Sequence, residues 1–231
     1  DGHPLHRRTN RNRWRRFPRW PPAKMKRAPI YLSAGGKLSS RAPTDVDEAA
    51  DRYVSDPRKP VPYTKIITTK WAKTSYTEDQ RFAGWRPDVL TYRGEVLADD
   101  LTVAGPVRVN LYVSTDRTAA DFVVKLVDVQ PGRLAGNGRK NINPRGGQQL
   151  LIRAEAFRGR FRNSYKRPEP FKPGKVARIS YDLPDILHTF KRGHRLMVQV
   201  QSTWFPLIDR NPQKYVPSIF KAKASDYITA T

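Results

Sequence analysis

Few residues of this chain have the type and spacing for acid–base or nucleophilic chemistry. There are four histidines, His3, His6, His188 and His194, and no cysteine. A catalytic serine needs a base against it and a third group to orient that base. His188 and His194 flank the turn Lys191-Arg192-Gly193, and Asp185 is near in sequence, so a base–carboxylate pair is conceivable. The plainer expectation is that both rings cap or pack a hairpin. The G-x-S-x-G elbow that would present a serine between a strand and a helix is absent. His3 and His6 fall in an irregular lead-in. Asp99-Asp100 and Asp116 with Asp121 offer carboxylates, but no segment resembles an EF-hand loop, and Asp116 to Asp121 reads as a turn between strands. Without cysteine there is neither a disulfide framework nor a thiolate metal site. No catalytic residue, cofactor or metal ligand set is expected.

Charge is the outlying bulk property. The 231 residues carry 44 Lys and Arg against 21 Asp and Glu, a net +23. Residues 1–27 hold ten of the bases (Arg7 to Arg27) and one acid, Asp1; the rest of the chain is moderately basic throughout. In that arm Trp14, Phe17 and Trp20 recur every three residues, and Pro18, Pro21 and Pro22 break any helix. It reads as an extended segment pinned to a surface by its aromatics. Cations beside aromatics are also the ingredients of single-strand nucleic-acid binding. No recognised nucleic-acid motif accompanies them, and arginine stems pack over rings for structural reasons, so a nucleic-acid partner is not expected. Nor is a membrane one: no stretch approaches ~18 apolar residues, and Asp1 to Asn10 has no signal-peptide core. The first residue is not methionine, so the chain reads as a processed or truncated piece, and its compartment is left open.

The elements that would position any site are strands. Pro29 to Leu32 and Lys37 to Ser39, around Ala34-Gly35-Gly36, form a hairpin. Residues 40–86 read as mostly irregular, with one strand over Asp51 to Pro57 and one or two helical turns over Asp45 to Arg52. Val89 to Tyr92 is a strand. Val107 to Ser114 alternates, with Val107, Val109, Leu111 and Val113 on one face. Phe122 to Val129 is a nearly continuous apolar run, as in a strand covered on both faces. Gln148 to Arg158, Lys175 to Leu183 and Leu196 to Ser202 complete the series, and Gln130 to Gly147 is a long loop. Many strands and almost no helix give an all-β fold, a jelly-roll β-sandwich of the galactose-binding-domain-like kind. The division expected is a basic lead-in over 1–27 and one sandwich over 28–231.

Several motifs resemble a known family. Phe157 to Ser164, Pro168 to Gly174, Leu183 to Phe190, Lys191 to Arg195 and above all Val198 to Gln213 resemble the C-terminal domain of the X-Pro dipeptidyl-peptidase and cocaine esterase superfamily. Tyr53 to Pro57, Arg86 to Leu90 and Gly105 to Val127 fit the same family. The likeness spans roughly residues 12 to 231 and is nearest to α-amino acid ester hydrolases and glutaryl-7-aminocephalosporanic acid acylase-like enzymes. It implies a serine hydrolase acting on peptide, amide or ester acyl bonds. The triad would lie upstream in an α/β-hydrolase domain with a helical cap, and this jelly roll would pack on that domain and help wall its site. The partners implied are those two domains, with a homo-oligomer also possible. Asp209, Arg210 and Asn211 stand where the family has a loop after its strand, and Asp209 and Arg210 are expected to form an ion pair or contact the neighbouring domain. Trp204 and His188 join them as candidate interface or structural residues. The alternative is a free-standing jelly-roll binding module for carbohydrate or, through the basic arm, nucleic acid, and it would show an exposed aromatic platform.

Overall fold

The computed structural model describes residues 16–43, 50–66, 68, 75–132 and 145–231. Eight strands dominate: β1 Tyr31–Ser33, β2 Lys37–Ser39, β3 Val89–Arg93, β4 Leu101–Val113, β5 Asp121–Val129, β6 Gln149–Arg158, β7 Ala177–Phe190 and β8 Arg195–Gln201. They form a six-stranded sheet in the order β1-β2-β3-β8-β5-β6 and a two-stranded ribbon, β4-β7, laid over one of its faces. The result is the expected β-sandwich. Among the described residues helix is confined to α1, Arg81–Gly84, and a few single 3-10 turns.

Alternation along the strands sorts their side chains onto two faces. Phe122, Val124 and Val200 of the large sheet meet Val109, Ile179, Tyr181 and Leu183 of the ribbon in the main core. Leu126 and Leu196 meet Ile186 and Phe190 beside it. Among the described residues the other face of the sheet has no second sheet. There Val123, Val127, Leu151 and Met197 pack under Tyr63 and Trp204, and Val89 packs under Val61 and Ala83. Both covers come from irregular chain before β3 and after β8. The apolar run of β5 therefore is covered on both faces, as its composition predicts: every residue from Asp121 to Asp128 is buried.

Some expectations change. β4 begins at Leu101 and β7 runs on to Phe190, because a bulge absorbs Pro106 on one strand and Pro184 with Asp185 on the other. His188 and His194 do not flank a hairpin. β7 pairs with β4 while β8 pairs with β3 and β5, so the turn between them carries the chain from one sheet to the other. Asp51 to Pro57 makes only an isolated bridge, Ser55 with Ala230. Of the helical turns expected over Asp45 to Arg52, residues 50–52 are not helical and the rest lie outside the described residues, as do Trp14 and residues 133–144 of the long loop. Phe17 and Trp20 behave as expected of an aromatic pin. The two rings contact edge to face at 5.9 Å, and Trp20 donates its indole N–H to Asp185 on the ribbon. Pro21 presses on Gly105, whose φ of +95° and lack of a side chain allow the approach; a Cβ there would stand 3.0 Å from the proline ring.

Candidate functional site

The residues picked from the sequence fall in three places. The first joins the sheets. Asp128 of β5 accepts from His188 Nε2 of β7 at 2.9 Å and from His194 Nδ1, just before β8, at 2.8 Å. The carboxylate expected near these rings was Asp185. It is Asp128 instead, because β7 crosses over β5, and no sequence spacing reveals a partner 60 residues away. Burial alone would raise the Asp128 carboxyl, but hydrogen bonds from the two imidazoles outweigh it and hold the group below the usual carboxylate range. Among the described residues both rings bond this carboxylate and neither bonds a serine, so the group is a clamp between layers.

The second place is the loop after β8. Arg210 does not pair with Asp209, which is exposed. Its guanidinium donates to the Pro57 carbonyl at 2.9 Å and lies over the rings of Phe205 and Tyr227, at 5.3 and 5.2 Å. Asn211 is buried. It donates to Asp121 at 2.7 Å and accepts the Gln213 N–H at 2.8 Å. Gln213 sits at φ 68° and donates to Ser55 at 2.7 Å. Asp121 also takes Arg158 at 3.0 Å, yet burial pushes its carboxyl up to about 6 against the pull of Arg158 and Asn211. The loop thus ties the start of β5 to the irregular segment around Ser55.

The third place was not anticipated. Trp204 covers Lys125, whose Nζ lies 5.5 Å from the indole. Lys125 is 0% exposed and, among the described residues, has no carboxylate partner; its Nζ donates to Gln80 Oε1 at 3.2 Å. Burial lowers its ammonium from 10.5 to about 7. Around it lie more buried amides. Gln199, its cross-strand neighbour, donates to Gln149 at 3.3 Å, and Gln201 donates to the Thr203 carbonyl at 2.6 Å. α1 sits directly on these amides: a Cβ on Gly84 would meet Gln199 Nε2 at 2.8 Å and Gln149 Oε1 at 3.0 Å. The one available signal was a lysine inside a run otherwise read as buried.

The segment that covers this cluster is two-sided. Val61, Tyr63, Gln80 and Ala83 point into the sheet and are buried. Ile66, Tyr76 and Trp85 of the same segment are 75%, 50% and 78% exposed. Among the described residues there is no group of three or more His, Cys, Asp or Glu poised to hold a metal ion.

Comparison with known proteins places the chain in a family. Residues 4–228 match the family model described as the X-Pro dipeptidyl-peptidase C-terminal non-catalytic domain. Cocaine esterase of Rhodococcus sp. (strain MB1 Bresler) is 32% identical over 205 residues, covering 86% of this chain and 33% of the esterase. The aminopeptidase of a marine sediment Thaumarchaeota archaeon superposes with a TM-score of 0.86 at 41% identity, over 96% of this chain and 36% of that one. An α-amino acid ester hydrolase superposes at 0.79 and 44% identity, over 88% and 33%. The chain therefore spans about a third of the length of each of these relatives.

Proposed function

The chain belongs to the family of X-Pro dipeptidyl-peptidase C-terminal non-catalytic domains, and from that premise we propose that it serves as the β-sandwich of a serine hydrolase that cleaves peptide, amide or ester acyl bonds. In this reading residues 1–27 lead in from an α/β-hydrolase portion, residues 28–231 form the accessory domain, and the triad lies in the other portion. The domain packs on the catalytic portion and walls one side of its substrate site.

One observation carries the docking face. The segment over the outer face of the large sheet buries one side and leaves Ile66, Tyr76 and Trp85 uncovered on the other. Large apolar groups left exposed on a thin cover are the mark of a surface that meets another body. Lys125 and its amides lie directly beneath, so the cover is backed by a rigid sheet.

The test is reconstitution. The purified chain alone should show no labelling by a fluorophosphonate probe and no turnover of an α-amino acid ester. Mixed with a separately produced hydrolase-and-cap portion of a close relative, it should bind and raise that portion's activity. Trp85→Ala should weaken the complex by about tenfold or more while leaving the melting temperature of the chain unchanged. Labelling of the chain by itself, or a complex indifferent to Trp85, would sink the proposal.

A further inference from the structure

A ribbon of two strands cannot cover a sheet of six. On the β6 side the large sheet ends in an edge that Asp79 and Gln80 bridge at Gln149 and Leu150, and a cleft of about 630 Å³ lies between the far end of β6 and β7. Its floor is made by Phe157 and Tyr181, stacked at 4.9 Å with 10° between their planes. Both are buried and belong to the main core. Tyr165 forms its wall. It stacks on Phe161 at 6.0 Å and 22°, and meets Phe157 edge to face at 6.3 Å. Tyr165 is nonetheless 76% exposed. The cleft thus presents one open aromatic face, fixed by two further rings that are themselves held by the core.

The polar groups of the lining are Glu155, Arg158 and Asp182. Arg158 is paired with buried Asp121. Asp182 takes Arg108 through two bonds, at 2.8 and 2.9 Å. Each pair cancels its own charge, and the Arg27 charge also reaches Asp182. Glu155 is left over, its Oε1 accepting the neighbouring Ala156 N–H at 2.9 Å. Carboxylates in such pairs keep lone pairs that can accept further hydrogen bonds.

From this geometry we infer that the cleft between β6 and β7 is a binding site for a neutral saccharide, one ring of which lies face-on against Tyr165. A pyranose has an apolar C–H face to set on an aromatic ring and hydroxyl edges that donate to carboxylates and accept from guanidinium groups. Both halves of that chemistry are present, at the spacing of a single cleft. A polyanion would meet the carboxylate of Glu155, which has no cation partner among the described residues, and an apolar peptide would leave that carboxylate desolvated. The site is on the ribbon edge, whereas the proposed hydrolase contact is on the segment over the sheet's outer face. The two inferences therefore stand or fall separately.

The whole chain should be titrated with methyl glycosides of glucose, galactose and N-acetylglucosamine and with maltose and cellobiose, read by saturation transfer and by backbone amide shifts. At least one of these sugars should bind in the millimolar range or tighter. It should receive saturation on one face of its ring and shift the amides of Glu155 to Arg158 and Phe161 to Tyr165. Tyr165→Ala should weaken binding by about tenfold, Tyr165→Phe by less than about threefold, and Glu155→Gln by an intermediate factor. Because Tyr165 is exposed, the alanine variant should keep the wild-type melting temperature. The inference is overturned if no sugar shifts the cleft at ~50 mM, if binding maps elsewhere, or if Tyr165→Ala binds as well as wild type. It is equally overturned if acetyl-lysine amide or a short peptide occupies the cleft while every sugar stays inert.

Discussion

The two faces of the large sheet are built by different means. The inner face meets the ribbon, strand on sheet, and its contacts are aliphatic and aromatic side chains from Phe122, Val124, Ile179, Tyr181 and Leu183. Its one buried carboxylate, Asp128, is bonded on both oxygens. The outer face meets irregular chain, and there more polar groups are trapped: Lys125 without a carboxylate among the described residues, and buried atoms of Gln199, Gln201 and Trp204 without a partner, against Arg153 Nε on the inner face. Regular strands satisfy their backbones before they pack, so their facing side chains are free to be largely apolar. A loop cover must spend side chains on its own backbone. Thr203 bonds the Val61 N–H, and Arg210 bonds the Pro57 carbonyl. The cover is held by polar anchors, and the face that it hides stays polar.

Core truncations on the two faces should differ most. Ile179 and Met197 are both wholly buried, one on each face. Ile179→Ala leaves a hole between two sheets that cannot close, and should cost about 4 kcal/mol. Met197→Ala lies under Trp204 and chain that can settle, and should cost about 2 kcal/mol. Urea unfolding of the two variants measures this. Equal costs would mean that the cover is as rigid as the ribbon.

Lys125 offers a sharper probe with the opposite sign. The folded ammonium has been lowered to about 7, whereas the unfolded one stays near 10.5. Between those values the unfolded chain binds the extra proton, so this residue makes stability rise with pH across the window. Lys125→Met, of similar length and without charge, should stabilise the domain by roughly 2 kcal/mol at pH 6, with the gain shrinking toward pH 10. A variant that is less stable than wild type at pH 6 would show that the lysine anchors Gln80 more than it strains the core.

The sequence made the architecture legible and the polar interior much less so. Alternation over Val107 to Ser114 and the unbroken apolar run from Phe122 are local signals, and local geometry alone turns them into strands with the right faces. Pro184 hid the second half of β7, since a proline reads as a strand end unless a bulge opposite takes it up. The clamp on Asp128 and the anchoring of Asn211 on Asp121 are contacts between residues 60 to 90 positions apart. They follow from topology, which pairwise spacing does not encode. Lys125 was visible as a letter, but its lack of a carboxylate could be known only once its neighbours were.

The inner-face clamp should be weaker than either of these effects and should show itself in acid. Asp128 is held below its ordinary range by two imidazoles, so its contribution is present above the unfolded value of about 3.9 and is lost as pH falls through the lower folded value. Asp128→Asn keeps one acceptor and should cost about 1.5 kcal/mol at pH 7. The difference from wild type should narrow below about pH 4. A difference constant with pH would assign the cost to packing alone.

The smallest effect discriminates best within the loop after β8. Asp209 and Arg210 are adjacent and opposite in charge, and a reading by charge treats them as a pair. Their environments say otherwise. Asp209 points to solvent, while Arg210 lies between Phe205 and Tyr227 and bonds the Pro57 carbonyl. Arg210→Ala removes two ring contacts and a charged donor and should cost about 1 kcal/mol. Asp209→Ala should change stability by less than about 0.5 kcal/mol. The double variant should then equal the sum of the two, since no bond joins them. A coupling above about 0.5 kcal/mol would restore the ion pair. If both single variants are silent in the isolated chain but Asp209→Ala weakens a reconstituted hydrolase, the exposed carboxylate belongs to the contact between domains, and the outer cover extends beyond Trp85 to this loop.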